Sequence, residues 1–202
     1  MRVLALDTAS PRPALALLDV SEEGGERFLL RPVPPSAAEA VAPELDALLR
    51  EAGLAARDLA RVAVLSGPGS FTGLRAGTAF ARGLARALGA PFVAIGTFDA
   101  AAASLPEPAD AVFVLDAGRG EVHRARRRGG RLDVDAAPLP LAVARTEAER
   151  ESTPLFDLAS LPASLALAAA RLAVVREPAA RGDSPAYGRR SAAEEKLEGG
   201  CP

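Results

Sequence analysis

At 202 residues the chain is long enough for one large domain or two small ones, each with a core of its own. Its formal net charge of −2, with acids and bases mixed along the chain, gives no overall electrostatic drive toward nucleic acid or an anionic membrane. One cysteine, Cys201, excludes an intramolecular disulfide and suits a reducing compartment.

Arg2–Asp7 is predicted as a buried strand, too short and too soon interrupted by Asp7 to be a signal-peptide core. Ala14–Val20 follows as a second strand after the Ser10-Pro11-Arg12-Pro13 turn, and Glu26–Val33 as a third after Gly24-Gly25. A helix is predicted over Ser36–Ala52. Ser36 and Glu39 have capping-box spacing, and Val41, Leu45, Leu48 and Ala52 form one apolar stripe. Pro43 should kink this helix or move its start. Arg61–Ser66 reads as a strand, Gly67–Gly73 as a glycine-rich loop and Leu74–Leu88 as a helix closed by Gly89. Pro91–Ile95 and Phe98–Leu105 complete the first half as a strand and a short helix. An antiparallel start followed by strand–helix alternation predicts a mixed sheet covered by helices.

Asp110–Asp116 opens a second unit of the same kind. Like Arg2–Asp7, it is an apolar strand ending in an aspartate followed by small residues. Glu121–Arg127 and Arg131–Val134 continue it as a second meander, and Pro162–Leu172 is its one clear helix. The expected organisation is two similar halves, 1–107 and 108–202, the second shortened and ending in a polar tail beyond Pro178. The longest Ala/Leu stretch, Ala163 to Val175, contains Arg171 and is too short to cross a bilayer. The expectation is a soluble, cytoplasmic protein.

The segment Gly67-Pro68-Gly69-Ser70-Phe71-Thr72-Gly73-Leu74-Arg75 is the most informative. It has no lysine after its closing glycine, as a P-loop would. Thr72 stands where a dinucleotide fingerprint needs its third glycine, and Pro68 where a nucleophile elbow needs its first. Two readings stay open for it: a tight turn with Ser/Thr caps, or free amides at a helix N-terminus that hold an anion or a partner's carboxylate. In the helix that follows, Gly77 and Gly83 each cost about 1 kcal/mol relative to alanine. Close backbone approach is the usual compensation. The wide arc of small and apolar residues predicts contact with the sheet on one side and another helix on the other, either Ser36–Ala52 or a helix of a partner.

Leu4-Ala5-Leu6-Asp7-Thr8-Ala9-Ser10, the glycine-rich segment just described and Gly83-Leu84-Ala85 together resemble the TsaB (YeaZ) family. Asp116-Ala117-Gly118-Arg119-Gly120-Glu121-Val122 is similar to that family's Asp-Ala-Arg-Arg-Gly-Glu-Val, with Gly118 replacing an arginine. Pro185-Ala186-Tyr187-Gly188-Arg189 is similar to its Pro-x-Tyr-Leu-Arg, with Gly188 replacing leucine. The resemblance covers most of residues 1–125 and returns near 185–190. It implies an α/β fold of the ASKHA (actin/Hsp70-like) kind: two ribonuclease-H-like lobes, mixed sheets flanked by helices, the second lobe reduced. It also implies a non-catalytic scaffold that binds a TsaD-like catalytic subunit and a TsaE-like ATPase. That assembly places threonylcarbamoyl on N6 of adenosine 37 in ANN-decoding tRNA.

On this basis the expected partner interface comprises Val41, Leu45, Phe71, Leu74, Arg75, Gly77, Thr78, Ala81, Arg82 and Leu84, with Arg86 at its rim. The same surface would form a homodimer when the chain is alone. The catalytic paralogue carries a His-x-x-x-His metal pair where this chain reads Gly96-Thr97-Phe98-Asp99, and His123 is the chain's one histidine. No catalytic residue, metal or cofactor of its own is therefore expected. Nucleotide would be bound at the level of the complex, tRNA met only through it, and no membrane involved. The competing reading is an ASKHA-type ATPase or phosphotransferase. Asp7 and Asp116, with Thr8, Ser70 and Thr72, would form its nucleotide/Mg cleft, vestigial or working. The plainer alternative has each aspartate capping its own turn. A peptidase lacks any recognisable nucleophile–base pair. The arginines 75, 82 and 86 and the cluster Arg124–Arg131 are either solvated faces or a basic surface for tRNA.

Overall fold

The computed structural model describes residues 1–34, 37–106, 110–161 and 163–178. The first sheet contains β1 (Arg2–Asp7), β2 (Ala14–Val20), β3 (Glu26–Pro32), β4 (Arg61–Leu65) and β5 (Phe92–Ile95), in the order β3-β2-β1-β4-β5. β1 to β3 form the antiparallel meander, while β4 and β5 run parallel to β1, so the sheet is mixed as predicted. Its central strands read as unbroken apolar runs because both faces are covered. Leu4, Leu6, Leu15, Leu17, Val62 and Val64 face the pair α1 (Ala37–Ala52) and α2 (Phe71–Leu88). Val3, Ala5, Ala16, Leu18, Ala63 and Val93 face the opposite way.

The second sheet holds β6 (Ala111–Gly118), β7 (Glu121–Arg128) and β8 (Arg131–Val134) as a meander, with β10 (Leu155–Asp157) parallel to β6 at the edge. The two-residue β9 (Leu139–Pro140) also pairs with β7. One face of this sheet shares a core with the first sheet through α3 (Thr97–Ala103) and α5 (Leu165–Val175). The other face, Val112, Val114 and Val122, packs on Ala144 and Ala148 of α4 (Leu141–Arg150). The protein thus has the layers α1/α2, sheet, α3/α5, sheet, α4.

α5 accounts for the Ala/Leu run. Leu165 to Ala170 and Ala173 are all buried, and a helix apolar all round belongs inside. It packs on β1, β2 and β4 of the first sheet and on α3, although the division at 107/108 assigns it to the second half. Short alanine side chains let it lie close to the sheet. The expected helix at Pro162–Leu172 is thereby moved toward the C-terminus, and Ser164 caps its start through the Leu167 amide.

Other differences have local causes. α2 begins at Phe71 rather than Leu74, because Ser70 Oγ accepts the Gly73 amide and draws the end of the loop into the first helical turn. α1 keeps Pro43 inside it and starts at Ala37, so the proline does not move its start. Ser36, the expected cap, lies outside the described residues, as do 107–109 at the expected boundary and the 185–189 motif. α4, β9 and β10 were not foreseen; α4 is polar and only half-covered, and its apolar period is carried by two alanines. Among the described residues, no helix is long and apolar enough to cross a membrane.

Candidate functional site

The end of β1, the glycine-rich loop and the start of α2 are tied into one knot. Ser70 donates its amide to the Ala9 carbonyl at 2.9 Å, and the Thr8 hydroxyl donates to the Gly73 carbonyl at 2.7 Å. The loop enters through a cis Gly67-Pro68 bond. α2 lies so close to β1 that a Cβ on Gly73 would sit 1.9 Å from the Thr8 carbonyl oxygen, and one on Gly77 2.0 Å from the Thr8 hydroxyl. Gly69 is equally confined, with a Cβ position 2.7 Å from the Ala9 carbonyl. The glycines of the motif are therefore spent on intramolecular approach. Gly83 is different: nothing lies within 4 Å of its Cβ position, and it is exposed.

Asp7 is fully buried. It accepts the amides of Ala9 and Ser10, at 3.2 and 2.9 Å, on one oxygen and the Ser10 hydroxyl on the other. Burial pushes its pKa up to about 6, against the downward pull of those Ser10 and Ala9 bonds and of the nearby Arg12 guanidinium. This is a turn cap, and its oxygens face their own turn. Ser10, three residues on, is the partner that the sequence reading passed over, although Asp followed by Ser at this spacing is a turn signature. Asp116 lies within β6 rather than past its end and is exposed, with one carboxylate oxygen accepting the Gly118 amide at 2.9 Å. Ser70 and Thr72 are exposed in the first turn of α2, while Thr8 is buried under it. The residues set down for a nucleotide cleft are thus split. Asp7 and Thr8 are withdrawn into the first lobe, and Asp116 stays at the surface of the second. Among the described residues no group of three or more His, Cys, Asp or Glu side chains is placed to hold a metal.

The proposed interface residues also divide. Val41, Leu45, Leu74, Gly77, Thr78 and Ala81 are buried, so they support the surface from within and do not present side chains to a partner. The helix that α2 meets is α1 of its own chain. The buried Thr78 hydroxyl has no hydrogen-bond partner among the described residues. Phe71, Arg75, Arg82 and Leu84 do reach the outside. Arg75 lies over the Phe71 ring, 5.5 Å from its centroid, and Arg82 over Phe92 at 5.2 Å. Neither they nor the exposed Arg86 form an ion pair among the described residues.

The second arginine cluster is compensated inside the chain. Arg124 is nearly buried and reaches Asp135 at 2.7 Å and Glu147 at 2.6 Å. Arg126 pairs with Asp135, Arg128 with Glu151 and Arg131 with Asp133. Arg127 donates to the Ala102 carbonyl and lies over Phe113. These side chains brace β7 against its neighbours through acids and a carbonyl of the same chain.

Comparison with known proteins agrees with the fold. The family model for TsaD, tRNA N6-adenosine threonylcarbamoyltransferase, matches residues 34–154. An uncharacterized protein of Mycobacterium tuberculosis is 38% identical over 126 residues, covering 61% of this chain and 58% of that protein. The tRNA threonylcarbamoyladenosine biosynthesis protein TsaB of Escherichia coli is 32% identical over 128 residues, covering 62% and 54%. The chain thus spans a little over half the length of the curated relatives it matches. A crystal structure from Pseudomonas aeruginosa, described as similar to peptidase YEAZ, superposes with a TM-score of 0.69 at 27% identity, covering 93% of this chain and 99% of that one. YeaZ from the same organism superposes at 0.60 with 26% identity, covering 86% and 92%. With this fold, the Thr8–Gly73 knot and these relatives, the chain belongs to the family of the TsaD model and is a TsaB/YeaZ-type protein of ASKHA-like fold.

Proposed function

We infer that the chain is an accessory subunit in the biosynthesis of threonylcarbamoyladenosine in tRNA. Its role is to bind a TsaD-like catalytic subunit, and with it a TsaE-like ATPase, rather than to catalyse. The observation that carries this reading is the outer surface of α1 and α2. There Phe71 is 40% exposed, Gly83 has open space above it, and the guanidiniums of Arg75, Arg82 and Arg86 form no ion pair among the described residues. An apolar anchor at the start of α2 and an open glycine near its end, with these arginines along the same helix, fit the packing of a partner helix that carries carboxylates. The names of the TsaB relatives support the pathway. The sealed position of Asp7 and the single histidine, His123, support the absence of chemistry of its own. In this account the same surface pairs with itself when the partner is missing. tRNA, and any nucleotide, is met through the complex.

The test is to mix the purified chain with its cognate TsaD-like subunit and measure molar mass by light scattering during size-exclusion chromatography. A heterodimer that replaces a homodimer is expected. Absence of association, with TsaE, nucleotide and magnesium supplied, would overturn the proposal.

A further inference from the structure

On the far side of the molecule from α1 and α2, a groove runs between α4 and the free edge of β10. Two adjoining cavities form it, of about 320 and 430 Å³, with Arg145 and Leu155 lining both. Among the described residues β10 pairs only with β6, so its outer edge presents unpaired backbone groups. Strand alternation turns Leu155 and Asp157 to the same side as Val112, Val114 and Asp116, the side on which α4 packs. The groove therefore has an apolar floor, one wall made by a strand edge and the other by a helix. α4 is about 15 Å long at 1.5 Å per residue, which matches about five residues of extended chain.

Its charge is one-sided. Asp116, Glu121 and Asp157 stand at one end and Glu149 at the other, and none of the four makes an ion pair among the described residues. Arg145, between them, makes none either. The contrast lies within a single helix and its cap. Glu147 and Glu151, directed toward β7, are held by Arg124 and Arg128, whereas Glu149, directed into the groove, is not. Four carboxylates around one guanidinium leave an excess of negative charge along a surface that offers backbone pairing.

We propose that this groove binds an extended, cationic peptide segment of a partner protein. The segment adds as a strand to the edge of β10; of the side chains that alternation turns toward α4, a central apolar one lies on the floor and basic ones at either end meet Asp116, Glu121 and Asp157 on one side and Glu149 on the other. The surface is separate from α1 and α2, so the proposal stands apart from the one above. The probe is a short fluorescent peptide with arginine, leucine and arginine at alternate positions, so that all three face the groove, and threonine between them, titrated against the full chain by anisotropy. The Glu121→Lys/Glu149→Lys double variant, whose replaced side chains make no hydrogen bond or ion pair among the described residues, is expected to bind about tenfold more weakly, and Arg145→Glu more tightly than the native chain. Methylating alternate backbone amides of the peptide should abolish binding. Equal binding by the native chain and the double variant, or by the methylated and free peptides, would overturn the proposal, as would no binding by the native chain. Tighter binding after deletion of residues 179–202 would overturn the choice of occupant in favour of the chain's own tail.

Discussion

β7 and α2 are both rich in arginine, and they use it in opposite ways. On β7 the guanidiniums of Arg124, Arg126 and Arg128 each meet a carboxylate, from Asp135, Glu147 or Glu151, and Arg124 is nearly buried in doing so. On α2, Arg75 and Arg82 lie over aromatic rings, and those two and Arg86 meet no carboxylate among the described residues. Residue counts along the sequence do not separate the two cases. What separates them is whether acids from neighbouring elements arrive at the same place. A basic cluster is informative about partners only after its internal counterions have been subtracted.

The largest expected effect tests whether α2 is seated as described, since its arginine stripe depends on that seat. Gly73→Ala drives a Cβ into a backbone carbonyl 1.9 Å away and should cost more than about 4 kcal/mol, read as a collapse of the urea midpoint. Next comes Asp7. Its folded pKa of about 6 lies above the unfolded value of 3.8, so the protonated form is favoured in the folded state. The stabilisation from this group is complete below about pH 4 and lost as pH rises through about 6, a span of about 3 kcal/mol. Asp7→Asn keeps an acceptor for the Ala9 and Ser10 amides. The difference in stability between native and variant protein, followed by denaturant titration, should change over that window and be flat above it. Arg124→Met should cost about 2 kcal/mol, because Glu147 loses its partner while Asp135 keeps Arg126.

On α2 the signs change. Gly83→Ala, with open space and an exposed helical position, should stabilise by about 0.5–1 kcal/mol. Replacing Arg75, Arg82 and Arg86 together by glutamate should move the unfolding midpoint by no more than about 1 kcal/mol. A loss comparable to that of Arg124→Met would mean these arginines also hold the fold together, and the comparison would fail.

The first lobe was legible in the sequence because its signals are local. Strands β1, β2 and β4 each carry an unbroken apolar run, residues 3–6, 14–18 and 62–65, and Gly53 and Gly89 end α1 and α2 in the left-handed region at φ 67° and 64°. Conserving that clarity fails in the second lobe, where α4 shows the sheet only Ala144 and Ala148, and β10 is a three-residue edge strand. The return of α5 to the first sheet is a long-range contact that no local pattern encodes. For the proposed site, the sequence indicated α1 and α2, which do pack on each other. It did not separate the inward positions Leu74, Gly77 and Ala81 from the outward Phe71, Arg75 and Arg82, because small residues serve equally for packing against a strand or a partner. Gly77 and Gly83 look alike in the sequence; only the position of Thr8 distinguishes them.

That pair of glycines gives the most direct test of the account. The affinity of the TsaD-like subunit for the native chain and for Gly83→Leu should be measured by calorimetry, with the unfolding midpoint of each recorded alongside. The expected result is an unchanged or raised midpoint together with at least about a hundredfold loss of affinity, since a leucine would stand in the contact surface. Equal affinity in a folded Gly83→Leu variant would contradict the assignment of the outer α1–α2 surface as the place where this protein works.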